Sequence, residues 1–193
     1  VCGLDIDPTT APVHPCCETP PTPVPGELRS DPADDPFGWL LDLNDTTPAL
    51  AAESYAANGL HVHPLHDIAH GSCSCGDVDC AAPGKHPRLD RWQVRASTSV
   101  GQVRHWWEQY PDANVGVVTG HVVDCVDLDV KHGEPGLDTA RTLREHGRLD
   151  GWVATAATPS GGLHLFYAAS GDGNAACREV DRCGLDFRGV GGY

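Results

Sequence analysis

Three short segments of this 193-residue chain carry residue types that could do chemistry. The first, Asp127-Leu128-Asp129, closes a strand-like apolar run, and alternation along a strand places Asp127 and Asp129 on one face. Two carboxylates on one face repel each other unless a cation lies between them, and Mg²⁺ and Mn²⁺ prefer oxygen ligands. The pattern indicates metal-dependent chemistry, although Asp-x-Asp alone also fits a strand that simply ends in solvent.

The second segment, residues 158–164, reads Thr-Pro-Ser-Gly-Gly-Leu-His. Gly161 and Gly162 allow backbone N–H groups to approach phosphate oxygens, and His164 adds a further donor. Because Leu163 and Leu165 flank it, His164 should face away from them, toward the open side of a sheet. The alternative is an ordinary tight hairpin turn, in which Ser-Gly-Gly is common.

The third segment, residues 184–189, contains Asp186 and Arg188 in the same alternation. Asp186 could join Asp127 and Asp129, and Arg188 could contact a phosphate. The alternative is an exposed Asp–Arg pair, which contributes little to stability.

A cysteine and histidine cluster precedes these segments. Its spacing predicts a tetrahedral structural Zn²⁺ site with the ligands Cys73, Cys75, Cys80 and His86. The alternatives are free thiols in a loop, or His70 as a replacement ligand. Nine cysteines, an odd number, fit a disulfide framework poorly and favour a reducing, cytoplasmic location. The surrounding loop has little apolar content, so the metal would supply its folding energy.

The remaining pattern predicts an α/β or α+β domain with a central sheet. Thr47 and Ser99 (or Thr98) are candidate helix caps. Helices are expected over 47–59, 98–110 and 137–146, and strands over 61–65, 114–118, 122–129, 152–157, 163–168 and 184–188. Strands 114–118 and 122–129 are expected to be adjacent, joined near Gly120. Of Trp106 and Trp107, one should be buried and one half-buried.

Composition separates an amino-terminal tail from the rest. Residues 1–46 predict a disordered, acidic, Pro-rich tail, and the domain is expected over 47–193. No apolar run is long enough to span a bilayer. The net charge of −14 argues against nonspecific duplex binding, although several basic residues cluster in sequence and could form a local groove. They are Lys85, Arg88, Arg91, Arg95 and Arg104. Lys85 and Arg88 are expected beside the metal loop, facing nucleic acid. The chain has no Met and starts with Val1, which favours a fragment or trimmed product.

Over about residues 47–193 the chain resembles the bifunctional DNA primase/polymerase (Prim-Pol) N-terminal domain of the archaeo-eukaryotic primase superfamily. The metal-binding motif is similar to Asp127-Leu128-Asp129, the small-x-His motif to Gly162-Leu163-His164, and the apolar-Asp motif to Leu185-Asp186. Further similar segments are residues 55–60, 84–87, 106–107, 114–117, 119–120 and 189–193.

The resemblance implies a primase-like core with a mixed or antiparallel central sheet, an RRM-like half and a small zinc-binding loop. It also implies template-directed nucleotidyl transfer on DNA, from nucleoside triphosphates, in replication of a phage, plasmid or integrated element. Asp127, Asp129 and Asp186 would hold two Mg²⁺ or Mn²⁺ ions. Ser160, Gly161, Gly162, His164 and Arg188 would bind the triphosphate. Relatives continue past the position of Tyr193, often into a helicase domain.

Two other functions fit the same residues. One is a catalytically silent nucleic-acid-binding module used in replication initiation, which the acidic balance favours and the intact carboxylates oppose. The other is a metal-dependent nuclease.

Overall fold

The computed structural model describes residues 46–176 and 183–193. The predictions for the tail up to residue 45 lie outside this range. The helices are α1 (Pro48–Ala57), α2 (Trp92–Arg95), α3 (Val100–Gln109) and α4 (Gly136–Glu145), with a 3₁₀ turn at Lys131–Gly133. The strands are β1 (Val62–Leu65), β2 (Ile68–Ala69), β3 (Ser72–Cys73), β4 (Asn114–Val117), β5 (Val123–Leu128), β6 (Ala154–Ala157), β7 (Leu163–Ala168), β8 (Ala175–Ala176) and β9 (Leu185–Arg188).

A five-stranded antiparallel sheet forms the larger layer, in the order β6-β7-β5-β9-β8. Its apolar face packs against α4, where Leu128, Leu163 and Leu165 are buried with Ala140 and Leu149. Because side chains alternate along a strand, the residues between these leucines point to the opposite face. One face of the sheet therefore packs against α4, and the other face carries polar side chains.

A second layer combines α1, α3 and the two-stranded antiparallel sheet β1-β4. The hydroxyl of Thr47 accepts a hydrogen bond from the Leu50 amide at the start of α1. Ser99 caps α3 in the same way. Trp106 and Trp107 are both 4% exposed, so the prediction of one half-buried tryptophan is wrong. The indole N–H of Trp107 donates to the Ala113 carbonyl at 3.1 Å, which satisfies its polar atom in the core.

The predicted adjacency of β4 and β5 is also wrong. Strand β4 pairs with β1, whereas β5 lies at the centre of the larger sheet. The chain changes sheets at Gly120, whose φ of +85° suits glycine, and a Cβ there would lie 2.3 Å from the Cα of Val190. The general prediction of a mixed α/β domain with antiparallel sheets is confirmed.

His63 is a fully buried polar residue in β1. Its ring stacks on Trp92 with centroids 4.9 Å apart and meets the edge of Tyr193 at 5.2 Å. Neither ring nitrogen makes a hydrogen bond. Burial lowers the pKa of His63 from 6.5 to about 4, because the apolar surroundings disfavour the charged imidazolium. The native fold therefore holds this histidine neutral.

We expect His63 to make the fold acid-sensitive. Between pH 6.5 and pH 4 the unfolded chain binds a proton at His63 that the folded chain does not, so stability falls as pH decreases through this window. The loss approaches about 3 kcal/mol at the acid end. His63→Leu should therefore unfold in urea with a weaker pH dependence than the wild type, while the exposed control His105→Gln should follow the wild type. Parallel curves for His63→Leu and wild type would show that the pKa of His63 is the same in the folded and the unfolded chain.

Candidate active site and metal centre

The central strand brings three predicted site residues into one row. Asp127 on β5 lies opposite His164 on β7 and opposite Asp186 on β9. Residues directly opposite each other in a sheet project from the same face, here the face turned away from α4. The Nε2 atom of His164 lies 3.4 Å from Oδ1 of Asp127. Both side chains are partly exposed, so a ligand can reach them from solvent.

The environment of Asp127 favours its charged form. The hydrogen bond with His164 lowers the pKa of Asp127, and this outweighs the opposing effect of burial. Electrostatic interactions with His164, Arg188 and Lys131 act on the pKa of Asp127 in the same direction. An ionised carboxylate at this position is the form that a hard cation would bind.

Asp129 is positioned by a turn rather than by strand alternation, because β5 ends at Leu128. Its Oδ1 accepts a hydrogen bond from the backbone N–H of Lys131 at 2.8 Å. Its backbone N–H donates to the Gly184 carbonyl at 2.8 Å, just before β9. This contact holds the end of β5 beside the start of the strand that carries Asp186.

Arg188 shares the polar face with Asp186. Its guanidinium lies 2.9 Å from the Asp186 carboxylate, and both side chains are about 40% exposed. Its register partner on β5 is Cys125. Burial, and secondarily the charge of Asp127, raise the pKa of Cys125 to about 12. Cys125 is therefore a buried, neutral thiol on the same face of β5 as Asp127, and its burial is as expected for a strand residue.

The glycine turn packs against the end of β5. A Cβ at Gly162 would lie 2.2 Å from the Leu128 carbonyl oxygen, so only glycine fits there. The Thr158 amide donates to the Gly162 carbonyl, and the Gly161 amide to Thr158. The Ser160 hydroxyl lies 3.0 Å from that of Thr158 and is exposed. The turn thus lies beside the carboxylates, and the hydroxyl of Ser160 contacts that of Thr158 within the turn.

The cysteine and histidine segment forms a compact cluster. The ligand atoms of Cys73, Cys75, Cys80 and His86 all lie within 4.8 Å of one another, so the group could bind a metal ion. Within residues 46–176 and 183–193 it is the one group of three or more potential ligands that converges so tightly. The three predicted carboxylates instead contact His164, Arg188 and the Lys131 amide.

The cluster favours a thiolate at Cys73. Burial raises the pKa of this thiol, but hydrogen bonds from the Gly84 and Cys75 amides, and from the side chains of Cys75 and His86, lower it to about 6. Thiolate and imidazole donors at this separation suit tetrahedral Zn²⁺. His70 lies outside the cluster and is exposed, so it is not the fourth ligand.

Arg88 anchors the metal loop instead of facing nucleic acid, which corrects the prediction. It pairs with the buried Asp67 carboxylate, and it also donates to Ser74 Oγ at 2.7 Å and to the Leu65 carbonyl at 3.1 Å. A buried carboxylate needs such a partner. Arg104 is likewise held by Glu53, at 2.6 Å. Two of the five clustered basic residues are therefore already paired within the fold.

Lys85, which precedes the cluster residue His86 in the metal loop, is within electrostatic range of the carboxylates. The side chain of Lys131 and burial lower the pKa of Lys85, and the charges of Asp127 and Asp129 oppose this shift. The four residues of the metal cluster and the three carboxylates are separate sets of residues. In the sequence, the pattern Gly84-Lys85-His86 places this lysine directly beside a predicted metal ligand.

Comparison with known protein families identifies the chain. Residues 52–193 match the model of the bifunctional DNA primase/polymerase N-terminal domain, and the chain belongs to this Prim-Pol family. The family is one of primase and polymerase enzymes of the nucleotidyltransferase type. No curated protein matches the chain. Within the described residues, no helix is long and apolar enough to cross a membrane.

We predict that the cluster binds about one Zn²⁺ per chain and that His86 is one of its four ligands. His86→Ala should lose the metal during dialysis against a competing chelator, because three ligands hold Zn²⁺ less tightly than four. The control His70→Ala removes an exposed imidazole from the same segment and should keep the metal. Elemental analysis of protein kept under reducing conditions measures both. Equal zinc contents in the two variants would contradict the ligand assignment.

Proposed function

We propose that this chain is a DNA primase/polymerase catalytic domain that transfers nucleotides to a growing strand under the direction of a DNA template. The observation that best supports this is the row His164–Asp127–Asp186 on the free face of an antiparallel sheet, in a chain of the Prim-Pol family. The proposal includes a primase-like core with an RRM-like half, and a role in replication of a phage, plasmid or integrated element.

Asp127, Asp129 and Asp186 are the residues that would hold two Mg²⁺ or Mn²⁺ ions. Their oxygens suit hard cations, and Asp127 and Asp186 face each other across adjacent strands. The ions would activate the attacking 3′-oxygen and neutralise charge on the departing pyrophosphate. Arg188 and His164 hold Asp186 and Asp127 in fixed orientations, which lowers the cost of organising the site before the reaction.

The triphosphate would lie across the row, against the glycine turn. Gly161 and Gly162 allow the backbone to approach phosphate oxygens closely, and Ser160 presents an exposed hydroxyl beside them. His164 and Arg188 supply donors on the same face of the sheet. These groups bind and orient the nucleotide, which is the main task of the protein in phosphoryl transfer. The zinc cluster has four protein ligands and serves the fold rather than the chemistry.

The proposal predicts that Asp127→Asn loses primer extension. The substitution keeps the shape of the side chain and removes its charge, so the rate should fall at least about 100-fold with Mg²⁺ or Mn²⁺. The control Asp138→Ala removes a carboxylate from α4, which packs on the opposite face of the sheet, and should extend the primer at the wild-type rate. The measurement is extension of a labelled primer on a DNA template, analysed by gel electrophoresis.

The same gel separates the alternatives. A polymerase lengthens the primer, a nuclease shortens it, and a silent binding module leaves its length unchanged. Shortening, or an unchanged primer with the wild-type chain, would reject the proposed function. Retained extension in Asp127→Asn would reject the assigned carboxylate while leaving the activity in place.

A further inference from the structure

Phe166 is a large apolar side chain on the polar face of the central sheet. It follows His164 by two residues in β7, so the two side chains project from the same face. The residues that alternate with them, Leu163, Leu165 and Tyr167, pack into the core against α4. Among the described residues, Phe166 belongs to neither hydrophobic core cluster, and it is only half-buried. The hydrophobic core therefore does not account for an aromatic residue at this position.

The neighbours of Phe166 on this face have small side chains. Its register partners are Cys125 on β5 and Ala154 on β6, and the next residue of β7 on the same face is the exposed Ala168. We call these four residues the apolar strip. Arg188 lies on the far side of Cys125 and borders the strip. Because its other side chains are short, a ligand beside the phenyl ring can approach the sheet closely.

The phenyl ring of Phe166 also contacts the row His164–Asp127–Asp186. It meets the imidazole ring of His164 at an angle of 89°, with the ring centroids 6.2 Å apart. Edge-to-face contacts between rings are favourable at such distances. Two residues of a strand span about 7 Å, so the apolar strip begins one step of alternation away from the carboxylates.

The glycine turn and the apolar strip lie on opposite sides of this row. The turn, residues 158–162, precedes β7, whereas Phe166 comes after His164 in the same strand. In the proposed function the triphosphate lies against the turn. In phosphoryl transfer the attacking and leaving oxygens are roughly in line, on opposite sides of the phosphorus. A leaving group at the turn therefore requires the attacking strand to approach from the side of the apolar strip.

We propose that the apolar strip binds the 3′-terminal nucleotide of the primer, with the ring of Phe166 packed against its sugar and base. The proposal rests on the proposed function and adds to it a site for the attacking strand. Aromatic side chains on a sheet face are platforms for nucleic acid bases, and they accept any base sequence. The strip contains no charged group, so it suits a sugar and base better than a phosphate, whose charge is costly to desolvate without a partner.

Binding of primed and unprimed templates tests this site. The full chain with its zinc site loaded is titrated, in Mg²⁺, against a fluorescent DNA template alone and against the same template annealed to a primer. Fluorescence anisotropy gives each Kd. We expect Phe166→Ala to raise the Kd of the primed template at least about fivefold, because it removes a stacking contact. The Kd of the unprimed template and that of a non-hydrolysable deoxynucleoside triphosphate should not change.

Further variants separate loss of the contact from loss of the fold. Phe166→Tyr keeps the ring and should bind the primed template like the wild type. Phe166→Leu keeps an apolar side chain without a ring, so it should weaken this binding even if Phe166→Ala proves unstable to urea. The control Leu50→Ala removes an exposed apolar side chain from α1, in the other layer, and should bind both templates like the wild type.

Three results would overturn the proposal. An equal loss of affinity for primed and unprimed templates would place Phe166 against the template strand. A loss confined to the triphosphate would show that Phe166 acts only through the ring of His164. The third is unchanged binding of the primed template by Phe166→Leu. If that variant also extends primers like the wild type while Asp127→Asn does not, the primer site fails and the proposed function stands. If the wild-type chain extends no primer, both fail.

Discussion

The pairing of β5 with β7 on one side and β9 on the other is the constraint on which the site depends. This register places His164, Asp127 and Asp186 in one row, and the same pleat directs Leu128, Leu163 and Leu165 into the core against α4. A slip by one residue would exchange the two sets, burying carboxylates and exposing leucines. The hydrophobic contact with α4 and the geometry of the polar face are therefore maintained by the same interaction.

The metal loop has a wider role than stabilising itself. Its cysteine and histidine ligands converge at one end, and Arg88 attaches it to the buried Asp67. Loss of the metal would free the backbone next to Lys85 as well as the ligands. In the proposed mechanism, a structural zinc would thus act only through the fold, with no contact between zinc and substrate.

Most of the local structure followed from the sequence. The caps Thr47 and Ser99, the hairpin around Gly161 and the alternation of His164 between two leucines each depend on neighbouring residues alone. The cysteine and histidine spacing likewise indicated its cluster, because those four residues lie within one short segment. The family motifs then indicated which of the polar residues belonged together, and the family assignment is confirmed.

The tertiary structure decided what depends on pairing between distant segments. Periodicity identified β4 as a strand but did not give its partner, since pairing with β1 or with β5 requires the same alternation. The buried Asp67 determines that Arg88 is an internal partner, and no spacing rule relates residues 67 and 88. The sequence determined which residues carry charge and which elements hold them, whereas long-range packing determined which charges meet, because Coulomb interactions depend on distance in space and not on separation along the chain.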